Sequence, residues 1–199
     1  CDIAKGAALI TGTTVDIRQV AAYSNVIGND VLEEVMDKNL DHFIPIGYTE
    51  EELAYAGKFK EVVTELDKEG LKDMIAHVVE KDRRKEVLDM PLLDFKLDRS
   101  ESYGGGGSTD VGDVSWVVPT VQTNVCCYAA GTALHSWQAV AQGKAHKGML
   151  TAAKVMACTG ADLLENPELI KKAHKDWLEE LDGETYPNPL PKDAKPELW

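Results

Sequence analysis

GGGGSTDVGDVSW, at residues 104–116, is the stretch that decides our interpretation, together with GTALHSW at residues 131–137. Four consecutive glycines lack every Cβ, so the loop backbone can approach a ligand closely. The Ser, Thr and Asp that follow favour the start of a short helix, where free N–H groups could face an anion or a polarised carbonyl. Residues 117–121 predict a buried strand, and His135 follows on the next turn. The pattern predicts a site at a strand end; a flexible connector with a structural histidine is the alternative.

The composition bounds the classes of function. The 199 residues carry a formal net charge of −13, which argues against sequence-independent binding to nucleic acid or to an anionic membrane, because both need basic patches. No apolar run approaches the roughly 20 residues of a membrane span. Four cysteines in a chain of this length do not form a disulfide framework, so we expect a cytoplasmic protein. The sequence begins inside an apolar helical pattern, from which we expect the C-terminal piece of a longer polypeptide.

The side-chain patterns predict several helices and two strands. Helices are expected at residues 1–11 and 30–42, after the capping box of Thr49 and Glu52, at residues 71–79 and 139–164, and after Asn166-Pro167. In the helix at 139–164 we expect Leu150, Val155 and Met156 to be buried. Residues 14–20 alternate apolar and polar side chains and predict a half-exposed strand. With the first helix, that strand could complete a small α+β unit.

Several motifs in combination resemble one family of enzymes. They are Gly107-Ser-Thr-Asp110 with Leu134-His135-Ser136, Asp2-Ile-Ala-Lys-Gly-Ala-Ala, and Gly131-Thr132 before the histidine. They resemble the C-terminal part of the metal-dependent aminoacylase and carboxypeptidase family of amidohydrolases, in the branch of the p-aminobenzoyl-glutamate hydrolases. The resemblance implies an α/β fold: residues 25–199 would be the C-terminal portion of a catalytic domain with a mixed sheet between helices. Residues 1–24 would be the last helix and strand of a ferredoxin-like lid or dimerisation domain.

The resemblance also implies a site around two divalent metal ions, zinc or manganese, that activate water for attack on an amide bond. His135 stands at the position of a metal ligand, and neutral imidazole suits either ion. Asp110 is either a residue that orients a ligand or the loop, or an N-cap. The substrate would be an N-acyl or N-aroyl amino acid such as p-aminobenzoyl-glutamate. The residues that match the substrate-binding loop are Gly106, Gly107, Ser108 and Thr109.

The remaining metal ligands and the general base of that family belong to its N-terminal half, and nothing in this sequence replaces them. Because a catalytic zinc ion needs about three protein ligands, we expect the chain alone to be inactive. We expect it to act with the missing half or with a separate partner chain, and as a homodimer in full-length form. The alternative hypotheses are a non-catalytic assembly protein that pairs with a separate chain, and a module that binds an anion through the glycine loop.

Other side chains with possible chemistry receive structural interpretations. The histidines on separate helical stretches without metal-ligand spacing are His42, His77, His146 and His174. Cys126 and Cys127 are interpreted as buried strand residues, because no partner base is evident. Asp113 is interpreted as a helix-start residue. Trp116 and Trp137 are interpreted as core residues, although either could contact an aromatic acyl group.

Overall fold

The computed structural model describes residues 1–19, 21–96, 109–142 and 146–192. More than half of these residues are helical. The helices are α1 (Asp2–Thr11), α2 (Asp30–Leu40), α3 (Glu50–Glu61), α4 (Glu65–Val78), α5 (Arg84–Asp89), α6 (Val111–Ser115), α7 (Trp137–Ala141), α8 (His146–Glu165) and α9 (Pro167–Leu181). Within those ranges, no helix is long and apolar enough to cross a membrane.

The predicted α/β fold with a mixed sheet is wrong for this structure. Across the described ranges, β pairing is limited to one isolated antiparallel bridge between Leu92 and Ala129, beside which the Ala130 amide donates to the Pro91 carbonyl at 2.9 Å. The described parts of the expected strands at 14–20 and 117–121 pair with no neighbouring strand. Alternation shows which side chains can share a face, but a strand also needs a neighbour for its backbone hydrogen bonds.

Helices α2, α8 and α9 pack together, and two buried asparagines link them. Asn29 caps α2, because its side-chain oxygen accepts from the Leu32 amide at 3.0 Å, and its Nδ2 donates to the Ala173 carbonyl of α9 at 2.8 Å. Nδ2 of Asn39 donates to Oδ2 of Asp162 on α8 at 2.7 Å. Buried polar groups are tolerated when they are hydrogen-bonded, so these amides fix how the three helices meet.

Two apolar clusters hold the middle of the chain. Ile75, Val78, Val79 and Val87 form one cluster between α4 and α5. The second cluster consists of Ala56, Leu92 and Ala129. It joins α3 to the segment that leads to His135, so this cluster positions the region in which a site is predicted.

Helix α1 leaves its apolar side chains in solvent. Ile3, Leu9 and Ile10 are 92%, 83% and 87% exposed, and Ala8 is the buried residue of the helix. Gly12 ends α1 with φ of 64°, a left-handed conformation that favours glycine. The domain boundary near residue 24, and the assignment of residues 1–24 to a lid, stay predictions.

Candidate functional site

The predicted substrate-binding loop enters the described structure at Thr109. Gly106, Gly107 and Ser108 lie outside the described residues. The Thr109 hydroxyl accepts a hydrogen bond from the Val111 amide at 3.3 Å. Asp110 is exposed and occupies the N-cap position of α6, but its side chain makes no cap hydrogen bond. Its proposed orienting role therefore stays a prediction.

Helix α6, which follows that loop, is held against residues 24–27 by the motif residues themselves. The Ile27 amide donates to the buried Ser115 hydroxyl at 2.8 Å, and Nε1 of Trp116 donates to the Asn25 carbonyl at 3.0 Å. A Cβ on Gly112 would lie 2.0 Å from the Ser24 carbonyl oxygen, so only glycine fits there. These motif residues thus fix the position at which the loop ends.

Asp113 adds a polar link to the same contact and lies in the first turn of α6, as predicted. Its Oδ1 accepts from the Ser24 amide at 3.2 Å and from the Tyr186 hydroxyl at 2.9 Å. Burial opposes ionisation, but the hydrogen bonds from Tyr186 and Ser24 outweigh it and lower the pKa of Asp113. Asp113 therefore stabilises α6 as a carboxylate.

The turn that carries His135, residues 129–142, is closed by one buried glutamine. Oε1 of Gln142 accepts from the Ala129 amide at 2.6 Å, and its Nε2 donates to the Thr132 hydroxyl at 3.0 Å. Gln142 is 4% exposed, and its bond to the Ala129 amide is buried, while its bond to Thr132 is part-buried. The sequence analysis missed this residue, and no local signal identified it, because its partners lie 13 and 10 residues away.

His135 itself is exposed and lies within this segment, two residues before α7 begins. The next residue, Ser136, caps α7 by accepting from the Ala139 amide at 3.3 Å, and its hydroxyl donates to the Ala133 carbonyl at 2.6 Å. Within the described residues, the imidazole makes no hydrogen bond. The backbone on both sides of His135 is held in place by the hydrogen bonds of Ser136 and Gln142.

The two tryptophans of the motifs have different environments. Trp116 is 8% exposed, so the interpretation as a core residue is confirmed. Trp137 is 64% exposed, so the same interpretation is wrong for it. Its ring lies 6.2 Å from that of Phe59, and Phe59 contacts the ring of Tyr55 edge-on at 5.1 Å. The three rings form a row whose solvent-facing end is two residues from His135.

The described residues do not by themselves fit a metal centre. Among them, no group of three or more His, Cys, Asp or Glu side chains is close enough to hold an ion. A catalytic zinc site uses about three protein ligands, and His135 supplies one imidazole. Any metal at this position therefore needs donors from outside the described ranges.

The adjacent cysteines show no sign of a nucleophile. Both are partly buried, as expected, although no strand contains them. Burial, with a smaller contribution from the Asp94 carboxylate, raises the pKa of Cys126 to about 12, and burial also raises the pKa of Cys127. A thiol with a raised pKa is a poor nucleophile at neutral pH.

A groove of about 550 Å³ lies between α2 and α4, apart from the predicted site. Its apolar lining includes Met36, Ile75 and Val78, while Asp37 and Lys96 lie at the polar part. None of the predicted site residues that the structure describes lines it. Lys96 is already paired with Asp37 at 3.0 Å, so this lysine is not a free cation for a substrate carboxylate.

Comparison with known proteins gives one informative relative. No family model matches the chain, and no solved structure matches it. The chain is 37% identical over 204 residues to the B subunit of p-aminobenzoyl-glutamate hydrolase from Escherichia coli (strain K12). The alignment covers 98% of this chain and 42% of the relative. Over nearly its whole length the chain is therefore a sequence relative of the B subunit of p-aminobenzoyl-glutamate hydrolase, as its motifs predicted, and it spans about two fifths of that relative.

Proposed function

We propose that this chain is the C-terminal portion of a metal-dependent amidohydrolase that cleaves the amide bond of an N-acyl or N-aroyl amino acid, such as p-aminobenzoyl-glutamate. The observation that carries the proposal is 37% identity over 98% of the chain to a component of a hydrolase named for that substrate. The exposed ring of His135, on a turn fixed by Gln142, supports the placement of the site.

In this proposal His135 is one ligand of a pair of zinc or manganese ions. The other ligands and the general base come from outside the described residues, since these contain no cluster that could hold an ion. Gly106, Gly107, Ser108 and Thr109 bind the substrate, and Asp110 orients a ligand or the loop. The chain alone is inactive. The full-length protein is a cytoplasmic homodimer that works with a separate partner chain. The relative's name, which describes one subunit of a hydrolase, supports the partner chain alone.

A chimera tests the proposal. The aligned two fifths of the Escherichia coli relative are replaced by this chain, and the product is assayed with the other subunits of that hydrolase for release of 4-aminobenzoate. We expect metal-dependent hydrolysis by the chimera and none by the chain alone. His135→Ala should reduce kcat by about 100-fold or more, because a catalytic metal loses one of about three protein ligands.

His146→Ala is the matched control, because His146 is also an exposed histidine but carries no predicted role. It should leave kcat unchanged. A correctly folded chimera without hydrolysis would contradict the proposal, and full activity of the His135→Ala chimera would remove this residue from the site.

The second candidate function is that of a non-catalytic assembly protein. The specific observation in its favour is the apolar surface of α1, where Ile3 and Ile10 are almost fully exposed. Exposed apolar surface of this kind marks interaction sites. Tight association with a partner chain without metal-dependent turnover in the chimera would favour this function over the hydrolase.

A further inference from the structure

The exposure of Trp137 is unusual for its residue type. Tryptophan is highly buried on average, yet this indole is 64% exposed. Trp116 and Trp177 each donate Nε1–H to a backbone carbonyl, at 3.0 Å and 2.7 Å respectively. Across the described ranges, Trp137 makes no such bond. Its ring is therefore not used to hold the fold together through a hydrogen bond.

The indole is nevertheless held in a defined place. Phe59 of α3 contacts its ring, and the neighbouring Tyr55 donates a hydrogen bond to the Ala141 carbonyl at the end of α7 at 3.3 Å. The hydroxyl of Ser136 caps the start of α7, and Ala139 of the same helix is buried. A large ring that is positioned in advance binds a flat partner with little loss of conformational entropy.

Trp137 also lies beside the predicted reaction centre. Two residues of extended chain span at most about 7 Å between Cα atoms, so the backbone of Trp137 lies close to that of His135. Aromatic rings attract one another in offset or edge-on arrangements beyond the effect of buried area, whereas a small aliphatic acyl group lacks that interaction.

We propose that Trp137 is a specificity-determining residue, on whose indole the aromatic ring of an aroyl amino acid substrate packs while the amide faces His135. This proposal rests on the proposed function. It names the part of the site that favours aroyl over small aliphatic acyl groups. Tyr55 and Phe59 act through Trp137, because they support its ring and do not extend to the solvent-facing end of the row.

The test uses the chimera with Trp137→Ala, Trp137→Phe and, as control, Val140→Ala, which alters another exposed apolar residue of α7. The Michaelis constant for p-aminobenzoyl-glutamate is measured with the inhibition constants of its two products, 4-aminobenzoate and glutamate. Loss of one aromatic pair corresponds to about a 2- to 12-fold change in a binding constant. We expect Trp137→Ala to raise the Michaelis constant and the 4-aminobenzoate inhibition constant by that factor. Glutamate inhibition should not change, and Trp137→Phe should restore most of the loss.

Other results overturn the proposal. If Trp137→Ala raised the inhibition constants of 4-aminobenzoate and glutamate equally, or changed neither, an aromatic-binding role would be excluded while the hydrolase function would stand. A change in oligomer mass by light scattering with unchanged inhibition constants would assign the indole to a contact between protomers instead. Failure of the unsubstituted chimera to hydrolyse the substrate would overturn the proposed function and this inference with it.

Discussion

Replacement of Gln142 by leucine tests whether this side chain holds the turn of His135. The change removes both hydrogen bonds but keeps a side chain of similar size. The Ala129 amide is left without a partner at a residue that is 2% exposed, which costs about 1–3 kcal/mol. The bond to the partly buried Thr132 hydroxyl contributes about 0.5–1.5 kcal/mol more. The free energy of unfolding should therefore fall by about 1.5–4.5 kcal/mol.

Urea denaturation followed by circular dichroism measures this change. Gln138→Leu is the matched control, because Gln138 lies on α7 just before Gln142, is only half-buried and makes no hydrogen bond within the described residues. It should change stability by no more than about 0.5 kcal/mol. Thr132→Val should lose only the smaller contribution. Equal stability of the Gln142→Leu and Gln138→Leu variants would refute the role given to Gln142.

Three further predictions concern the rest of the chain. Gly112→Ala should destabilise the fold by about 1–3 kcal/mol, because its Cβ would clash with the Ser24 carbonyl. Gly160→Ala, within α8, should stabilise it by about 0.5–1 kcal/mol, because a Cβ there has no atom within 4 Å. Thermal unfolding that ranks the two variants the other way would contradict this prediction. The Lys147 hydrogen bond lowers the pKa of Glu52 to about 2, so its stabilising effect is full above the unfolded pKa near 4.5 and lost as pH falls towards 2. Glu52→Gln should flatten stability against pH in that window, and an unchanged profile would exclude the effect. Equimolar zinc or manganese should leave the melting temperature of the chain alone within about 1 °C, since no described cluster holds an ion, and a rise of several degrees would contradict this.

Structural features that depend on residues close together in the chain were predicted well from the sequence. Asn29 caps α2, and Thr49 with Glu52 forms the capping box of α3. Pro167 begins α9 as expected. Each of these depends on a side chain and the backbone groups of the next turn, so the necessary partners are visible in the local sequence.

Features that depend on distant partners were not predictable in the same way. The alternating pattern at residues 14–20 identified a possible strand but could not supply a neighbour for it. The expectation of one helix at 139–164 was only partly right, because α7 ends at Ala141 and α8 runs from His146 to Glu165. Its buried face was also only partly predicted: Val155 is buried, whereas Leu150 and Met156 are 57% and 56% exposed. Which face of an apolar helix is buried depends on the elements packed against it, here α2 and α9.

In the candidate site, too, features set by the local sequence were predicted and features set by distant partners were not. The sequence identified His135 and Trp137 as neighbours on one turn, and the structure adds that both rings are exposed. It could not identify Gln142 as the residue that closes the turn, because its contacts lie 13 and 10 residues away. Two other residues of the quoted motif, Ser115 and Trp116, form hydrogen bonds that hold α6 against residues 24–27, and these partners could not be read from the local sequence.

The metal content of the chimera tests most directly whether His135 is a metal ligand. Mass spectrometry of the bound metals would count zinc or manganese ions per protomer in the unsubstituted chimera and in its His135→Ala and His146→Ala variants. We predict two ions per protomer without substitution and with His146→Ala, and loss of one or both with His135→Ala. An unchanged metal count in the His135→Ala variant would contradict the role proposed for this histidine.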